Sequence, residues 1–371
     1  ALGGSTYGMG EETMAFYPLL VPVMMAVGFD SLTAVAIILL GSQIGCLAST
    51  LNPFATGIAS ATAGVGTGDG IVLRLIFFVV MTALGTYFVY RYADKIQKDP
   101  TKSLVYSHRE EDLKHFNVDA VANVESTLSK KQKQVLVLFV LTFVLMIMSF
   151  IPWTDLNVNV FENFNKWLVG IPVIGKIVGT STSALGTWYF PEGAMLFAVM
   201  GIIIGFVYRM KEDRFITVFI NGAADLLGVA LIVAVARGIQ VIMNDGMITA
   251  TILHWGEVGL KGLSSQVFIV LTYIFYLPMS FLIPSTSGLA SATMGIMAPL
   301  GKFVNVPASL IITAYQSASG LLNLVTPTSG IVMGALALGR IDLGTWWKFV
   351  AKLVAGIFVV SILLLILGTF L

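Results

Sequence analysis

The chain has 371 residues, of which 57% are hydrophobic and only 11% are charged, and its net charge is +1. Because soluble domains carry about a quarter charged residues, this chain is too apolar to face water on all sides, and it has no basic excess for binding nucleic acid. One cysteine and three histidines argue against a disulfide framework and a zinc hydrolase. We therefore predict an all-α polytopic membrane protein, partnered by the lipid bilayer, that is not an enzyme and has no metal centre or cofactor.

The first part of the chain contains apolar segments that are interrupted by proline. Pro18 and Pro22 lie inside the first segment, and the pair Asn52-Pro53 separates the second from the third. The fourth is an uninterrupted run of about the 20 residues that a bilayer requires. These predicted segments are 13–29, 31–51, 54–64 and 71–92.

Residues 93–134 form a strongly hydrophilic region. With Arg91, which comes just before it, the region carries the cations Arg91, Lys95, Lys98, Lys102, Arg109, Lys114, Lys130, Lys131 and Lys133. Lysine and arginine are enriched in cytoplasmic loops. We therefore predict that 93–134 is cytoplasmic, that the protein lies in the cytoplasmic (inner) membrane, and that its C-terminus is external.

Further apolar segments follow this loop, and two of them are again interrupted by polar residues. The interruptions fall at 284–288 and 323–330, and 244–263 is predicted to be external. The predicted spans and half-spans are 135–152, 194–208, 215–236, 267–283, 289–303, 307–322, 331–339 and 346–370.

The order of elements in residues 1–92 recurs after residue 284. Each part has a polar tip, an apolar helix with proline, a second helix, a proline-containing break, a half-helix and a full span. Aligning Pro53 with Pro327 places Asn52 on Thr326, and the flanking charges orient the two closing spans oppositely. Inverted repeats of this kind are typical of secondary transporters. The predicted domains are 1–92 (first repeat), 93–134 (cytoplasmic loop), 135–263 (scaffold helices of the second repeat) and 264–371 (hairpin, broken helix and closing span of the second repeat).

Two opposed breaks inside the membrane predict a binding site for a small molecule. Backbone polar groups must be satisfied in hydrocarbon, so such breaks line a cavity, where freed carbonyls can ligate a cation and helix N-termini attract carboxylates. The tips 8–13 and 284–288 would close the cavity from opposite sides. A coupling Na⁺ could bind at the Asn52 or the Thr326 loop, and H⁺ is the other coupling ion. The candidate binding residues are Glu11, Glu12, Thr13, Ser49, Asn52, Pro53, Asn221, Asp225, Ser285, Thr286, Ser287, Asn323, Thr326, Thr328 and Ser329.

Two other classes of protein fit parts of the sequence. Residues 66–69 match the Gly-x-Gly-Asp pattern of intramembrane aspartyl proteases, with Asp69 and Asp30 as the two carboxylates. An aspartyl dyad shares a proton at short range, whereas the predicted topology places these two residues on opposite sides of the membrane. A channel would show a continuous polar stripe along several spans, whereas the polar residues concentrate at the breaks. Both classes stay open as outside alternatives.

As a set, five motifs resemble the YfcC-type carriers, which are grouped with anaerobic C4-dicarboxylate carriers and arginine/ornithine exchangers in the ion transporter superfamily. The resemblance covers essentially the whole chain. It implies a scaffold domain and a transport domain with two re-entrant hairpins and two unwound helices, a homodimer, and an elevator-like mechanism. It also implies that the scaffold helices of the first repeat precede Ala1. The motifs are GMGEET (8–13), LNPF (51–54), NGAADLLG (221–228), STSGLA (285–290) and NLVTPTSG (323–330).

The family names leave the substrate open between a basic amino acid and a C4-dicarboxylate. A dicarboxylate site would be expected to offer a buried Arg or Lys, or at least donor-rich tips without acid, yet no basic residue lies near either break. Arg74 lies near the end of its predicted span. The resemblance implies that the tip at 8–13 is the inner one and the tip at 284–288 the outer one. The inner tip offers Glu11 and Glu12, whose carboxylates suit an ammonium or guanidinium group. The sequence therefore favours a secondary active transporter for a basic amino acid, by exchange or ion coupling, with a C4-dicarboxylate carrier as the alternative.

Overall fold

The structure is a computed structural model. It describes residues 1–118, 129–151, 153–154, 158–173, 175–176, 179, 182–188, 190–260 and 262–371. Within these ranges every regular element is a helix or a helical turn, which confirms the predicted all-α class. The chain divides into two compact units, one made of Ala1–Val124 and Ala224–Leu371 and the other of Glu125–Ala223.

The N-terminal part of the larger unit contains six α-helices and several helical turns. A 3₁₀ turn, Glu11–Phe16, leads into the second helix, and a π-helical turn, Pro53–Gly57, leads into the fourth. Two short 3₁₀ turns, Pro100–Lys102 and Tyr106–His108, precede the sixth helix. The helices are α1 (Leu2–Tyr7), α2 (Tyr17–Ala26), α3 (Ser31–Leu47), α4 (Ile58–Ala63), α5 (Ile71–Lys98) and α6 (Arg109–His115).

The described part of the smaller unit contains α7 (Lys130–Phe150), α8 (Val160–Gly170) and α9 (Phe190–Tyr208), with α7 packed against α9. Helix α7 begins at Lys130, earlier than the residue 135 predicted from hydropathy. A capping box explains this start, because Ser129 Oγ accepts the Gln132 N–H at 3.3 Å and Gln132 Oε1 accepts the Ser129 N–H at 2.8 Å. Capping therefore extends the helix over lysines that hydropathy assigns to the loop.

Seven helices follow. The first, α10, begins in the smaller unit and continues into the larger one. They are α10 (Glu212–Asp245), α11 (Ile248–Leu260), α12 (Ser265–Leu282), α13 (Thr286–Phe303), α14 (Ala308–Leu322), α15 (Gly330–Leu338) and α16 (Leu343–Gly368).

Five helices of the described chain are long and apolar enough to cross a membrane, namely α5, α7, α9, α12 and α16. Most of the residues in each of these helices are not buried inside the protein, and apolar faces of this kind suit lipid. Helix α3 is also apolar but shorter. The fold is therefore that of a multi-pass membrane protein.

Helices α3 and α14 lie at the centre of the larger unit and pack against each other. Helix α3 also contacts α1, α2 and α5, and α14 also contacts α12, α13 and α16. Each of the two short helices packs against a part of the chain that is distant in sequence. Helix α4 lies against α13, and α15 lies against α2 and the 3₁₀ turn before it. Most residues of α3 and nearly all of α14 are buried, which is typical of helices that form a core rather than a lipid-facing layer.

The hydrophilic segment after α5 is folded against the ends of these helices. Asp30, the N-cap of α3, is buried and accepts hydrogen bonds from Tyr92 Oη at 2.8 Å and from Ser103 Oγ at 2.6 Å. Arg340, between α15 and α16, forms ion pairs with Asp112 at 3.3 Å and Glu111 at 3.6 Å. Residues 103–112 therefore contact both the start of α3 and the end of α15.

Candidate functional site

The first break lies between the end of α3 and the start of α4. Pro53 cannot continue a helix hydrogen-bond ladder from the preceding turn, and Asn52 caps the new turn. Asn52 Oδ1 accepts the N–H groups of Phe54 at 2.9 Å and Ala55 at 3.2 Å. The predicted break is present, and the Asn52 carbonyl oxygen holds its shape, which leaves only the amide nitrogen of this side chain for a ligand.

A chain of buried hydroxyl and amide groups joins the first break to the opposite core helix. Ser49 Oγ lies 2.7 Å from Thr56 Oγ1, and Gln316 Nε2 on α14 donates to Thr56 Oγ1. All three residues are almost fully buried. Gln316 was not a predicted site residue, because a contact across 260 residues of sequence has no local signature.

Ser5, on α1, is a second residue that the sequence did not indicate. Its hydroxyl donates to Ala48 O at 2.9 Å and lies 3.0 Å from Thr50 Oγ1, and its carbonyl accepts the N–H groups of Thr50 and Leu51 at 2.9 and 3.2 Å. Helix α1 is thus fixed to the first break by side-chain and backbone hydrogen bonds.

We expect Gln316→Leu to lower the stability of the protein by about 0.5–1.5 kcal/mol, because it removes the hydrogen bond to buried Thr56 Oγ1, which keeps only its contact with Ser49 Oγ. The midpoint of thermal unfolding in detergent measures this loss. Gln97→Leu is the matched control, since Gln97 is exposed near the end of α5 and its replacement should leave the midpoint unchanged. Equal midpoints for the two variants would mean that the Gln316–Thr56 bond does not stabilise the break.

The second break lies between α14 and α15. Thr326 Oγ1 lies 2.7 Å from Thr328 Oγ1, and Thr328 Oγ1 donates to Phe281 O at 3.3 Å at the end of α12. Two tryptophans of α16 donate to freed carbonyls of the break, Trp346 to Leu324 O and Trp347 to Val325 O, each at 2.8 Å. Asn323, Thr326 and Ser329 are buried here, as expected for a polar break inside a membrane.

The inner tip touches both breaks. Gly8 has φ +82°, and a Cβ on it would lie 2.6 Å from Asn52 Oδ1, so the tip backbone lies directly against the cap of the first break. A Cβ on Gly10 would lie 2.7 Å from the side chain of Ile331, at the start of α15 after the second break. Glu12 Oε2 accepts the Gly10 N–H at 3.0 Å.

The remaining residues of the inner tip differ in burial. Thr13 is buried and donates to Gly10 O at 2.6 Å. Glu12 is half-buried, whereas Glu11 is exposed. Glu12 and Thr13 therefore stabilise the turn of the tip, and Glu12 brings a carboxylate to the N–H of a residue that borders the second break.

The outer tip is half-buried and is held by its own hydrogen bonds. Ser285 caps α13 by accepting the Gly288 N–H at 3.2 Å, and its hydroxyl lies 3.4 Å from that of Ser287. Tyr315 Oη on α14 donates to Thr286 O at 2.5 Å. Of the other predicted residues, Asn221 is exposed on α10, and the side chain of Asp225 lies outside the described residues.

The two carboxylates of the proposed aspartyl dyad lie far apart. Asp69 comes just before α5, and Asp30 is bound by Tyr92, which lies 21 residues after Ile71 in the same helix. At 1.5 Å per residue this separates the two carboxylates by about 30 Å, so they cannot share a proton.

The prediction that Arg74 lies near the end of its span is confirmed. Arg74 lies in the first turn of α5 but is only 1% exposed. The first turn is covered because the loop before α5 folds over it, with Arg74 Nη2 donating to Thr67 O at 2.5 Å. Distance from a helix end therefore did not indicate exposure.

A helical fold with membrane-length spans and buried polar breaks is typical of membrane transport proteins. The family of C4-dicarboxylate anaerobic carriers matches residues 1–370, and the chain belongs to it. The resemblance to the YfcC-type carriers is thereby confirmed, and membership of a transporter family agrees with the prediction that the chain is not an enzyme.

Two relatives cover nearly the whole chain. An uncharacterized protein of Haemophilus influenzae is 33% identical over 98% of the chain. YfcC of Escherichia coli, provisionally named as a basic amino acid antiporter, is 30% identical over 97% of it. The chain spans 65% and 66% of the length of these relatives. The YdaH transporter of Alcanivorax borkumensis has a similar fold, with a TM-score of 0.52 and 16% identity over 99% of this chain and 76% of that one.

Proposed function

We propose that the chain belongs to a secondary active transporter that exchanges a basic amino acid across the membrane by alternating access. The observation that carries the proposal is the acidic inner tip, where Glu12 is hydrogen-bonded to Gly10 beside the second break and Gly8 lies against the first. A carboxylate in this position offers a charge-assisted hydrogen bond to an ammonium or guanidinium group.

Alternating access is supported by two matching series of contacts, which we interpret as inverted repeats with re-entrant hairpins. Helices α1 and α2 pack on α3 as α12 and α13 pack on α14, and α5 contacts α3 as α16 contacts α14. Each half-helix contacts the hairpin of the other series, α4 with α13 and α15 with α2. Two hairpins around one shared region can open it alternately to the two sides.

The coupling ion, if it is Na⁺, binds at the Asn52 or the Thr326 loop. No hydrogen bond is described to the carbonyls of Ser49, Thr50 and Leu51 in the first break. In the second break, the carbonyls of Leu324 and Val325 accept hydrogen bonds from Trp346 and Trp347, whereas none is described to those of Pro327 and Thr328. Free carbonyl oxygens are suitable ligands for a hard cation. H⁺ coupling through Glu12 is the other form of this proposal.

The second candidate function is transport of a C4-dicarboxylate, which the name of the family favours. One observation from the structure also favours a dicarboxylate: Arg74 is a fully buried cation. We propose the same setting for both candidates, a homodimer in the inner membrane that works in an elevator-like manner, with residues 93–134 on the cytoplasmic side and the C-terminus outside.

Uptake into proteoliposomes decides between these functions. With arginine inside, we expect saturable uptake of labelled ornithine or lysine that requires the internal amino acid, and no comparable exchange with fumarate, succinate or citrate. Repeating the assay with and without a Na⁺ gradient tests the coupling ion. Exchange of fumarate but not of arginine would replace the first candidate with the second, and an unsaturable conductance would indicate a channel.

A further inference from the structure

Arg74 is a buried cation whose hydrogen-bonding capacity is largely unused. It is 1% exposed and is, with Trp346, among the largest fully buried side chains. Nη2 donates to Thr67 O, whereas Nε and Nη1 have no hydrogen-bond partner. A guanidinium has five N–H donors, and arginine is almost never fully buried unless it is paired.

Arg74 forms no ion pair with a side chain of the described residues. Asp69, in the loop before α5, is exposed, and its Oδ2 instead accepts the Gly66 N–H at 2.9 Å. Among the described residues, no carboxylate oxygen lies within the 4.0 Å of an ion pair to Arg74. The two unpaired nitrogens of Arg74 therefore match an anion that is not part of the described chain.

The loop that covers Arg74 is rich in glycine. Residues 64–70 contain glycine at every second position, with φ +70° at Gly64 and +75° at Gly70, and none of the seven residues is buried. Glycine-rich backbone changes conformation at low steric cost. Within the described chain, the guanidinium of Arg74 is hydrogen-bonded to this loop through Thr67 O. Lifting the loop would expose the unpaired nitrogens without disturbing the helix core.

We propose that Arg74 and the loop 64–70 form a binding site for the carboxylate group of a small metabolite, with the loop as its cover. A guanidinium holds a carboxylate through two parallel hydrogen bonds, and the free nitrogens of Arg74 provide such donors. The assignment rests on the proposed transport function in one respect only: the carboxylate is that of the transported solute as it enters from the predicted outer side. Binding itself can be measured without transport.

The test uses the whole chain in nanodiscs of zwitterionic lipid, at constant ionic strength, with the thermal midpoint read against ligand concentration. The probes are acetate, fumarate and arginine, which carry a carboxylate, and agmatine, which is arginine without it. We expect the carboxylates to stabilise the wild type, and Arg74→Gln to weaken their apparent affinity at least tenfold. Arg74→Lys keeps the charge but loses the two parallel N–H donors of the guanidinium, so its apparent affinity for carboxylates should be intermediate. Arg91→Gln is the control, because Arg91 is exposed on the same helix.

Two results would overturn the site. One is carboxylate binding by Arg74→Gln within twofold of the wild type, and the other is the absence of carboxylate-dependent stabilisation in the wild type. If Arg74 instead binds lipid phosphate, the wild type but not Arg74→Gln will be stabilised by anionic lipid, and carboxylates will have no effect. Carboxylate binding without amino acid exchange would refute the proposed function while leaving this site intact. Unchanged arginine exchange by Arg74→Gln would place the site outside the transport path.

Discussion

Replacing Glu12 with glutamine is expected to reduce exchange of a basic amino acid by about 10- to 100-fold. The loss of one charge-assisted hydrogen bond to a cationic substrate costs about 1.5–3 kcal/mol, which corresponds to such a factor in affinity. Glutamine keeps an oxygen that can accept the Gly10 N–H, now 3.0 Å from Glu12 Oε2. The substitution therefore removes the charge and preserves the turn of the tip. Counterflow of labelled ornithine in proteoliposomes measures the effect.

Glu110 provides the control for this experiment, since it is a glutamate in the first turn of α6, outside the spans. Glu110→Gln should exchange substrate at the wild-type rate. If Glu12→Gln does so as well, with arginine inside and ornithine outside, the carboxylate of the inner tip has no part in recognising a cation. A basic amino acid would then no longer be the favoured substrate, and a C4-dicarboxylate would become the better candidate.

The largest effect on stability is expected for Gly320→Ala. Gly320 lies where α14 crosses α3, and a Cβ on it would overlap the backbone of Leu47, 2.8 Å from its nitrogen. Backbone cannot rotate away as a side chain can, so the two central helices would have to separate. Overpacking of a tight core costs about 1–3 kcal/mol, and we expect this site at the upper end of that range. Thermal unfolding in detergent and the yield of folded protein measure the loss.

Gly356→Ala is the matched control, because Gly356 lies within α16 and a Cβ on it would meet no atom within 4 Å. Alanine favours a helix over glycine by up to about 1 kcal/mol, so this variant should be as stable as the wild type or more stable. A Gly320→Ala protein with an unchanged midpoint would show that α3 and α14 are not held at the distance described.

The breaks were predictable because their cause is local. Pro53 and Pro327 exclude a continuous helix, and Asn52 is a favourable cap, so a sequence pattern of a few residues marks the position. The helix class and the membrane spans followed from composition for the same reason. The observed start of α7 at Lys130 differs from the predicted start at residue 135, because hydropathy does not detect a capping box.

The partners of the breaks could not be predicted, because they come from distant parts of the chain. Gln316 reaches Thr56, and Trp346 reaches Leu324 from another helix. Such contacts depend on which helices cross, not on the residues beside them. Arg74 shows the same limit, since its position near a helix end gave no sign that a glycine-rich loop covers it.

Residues 103–112 link the hydrophilic segment after α5 to the ends of two helices, α3 and α15. Ser103 is hydrogen-bonded to Asp30 at the start of α3, and Asp112 forms an ion pair with Arg340 beyond α15. In the proposed alternating-access cycle, a movement of these two helix ends would therefore either take residues 103–112 along or break both contacts.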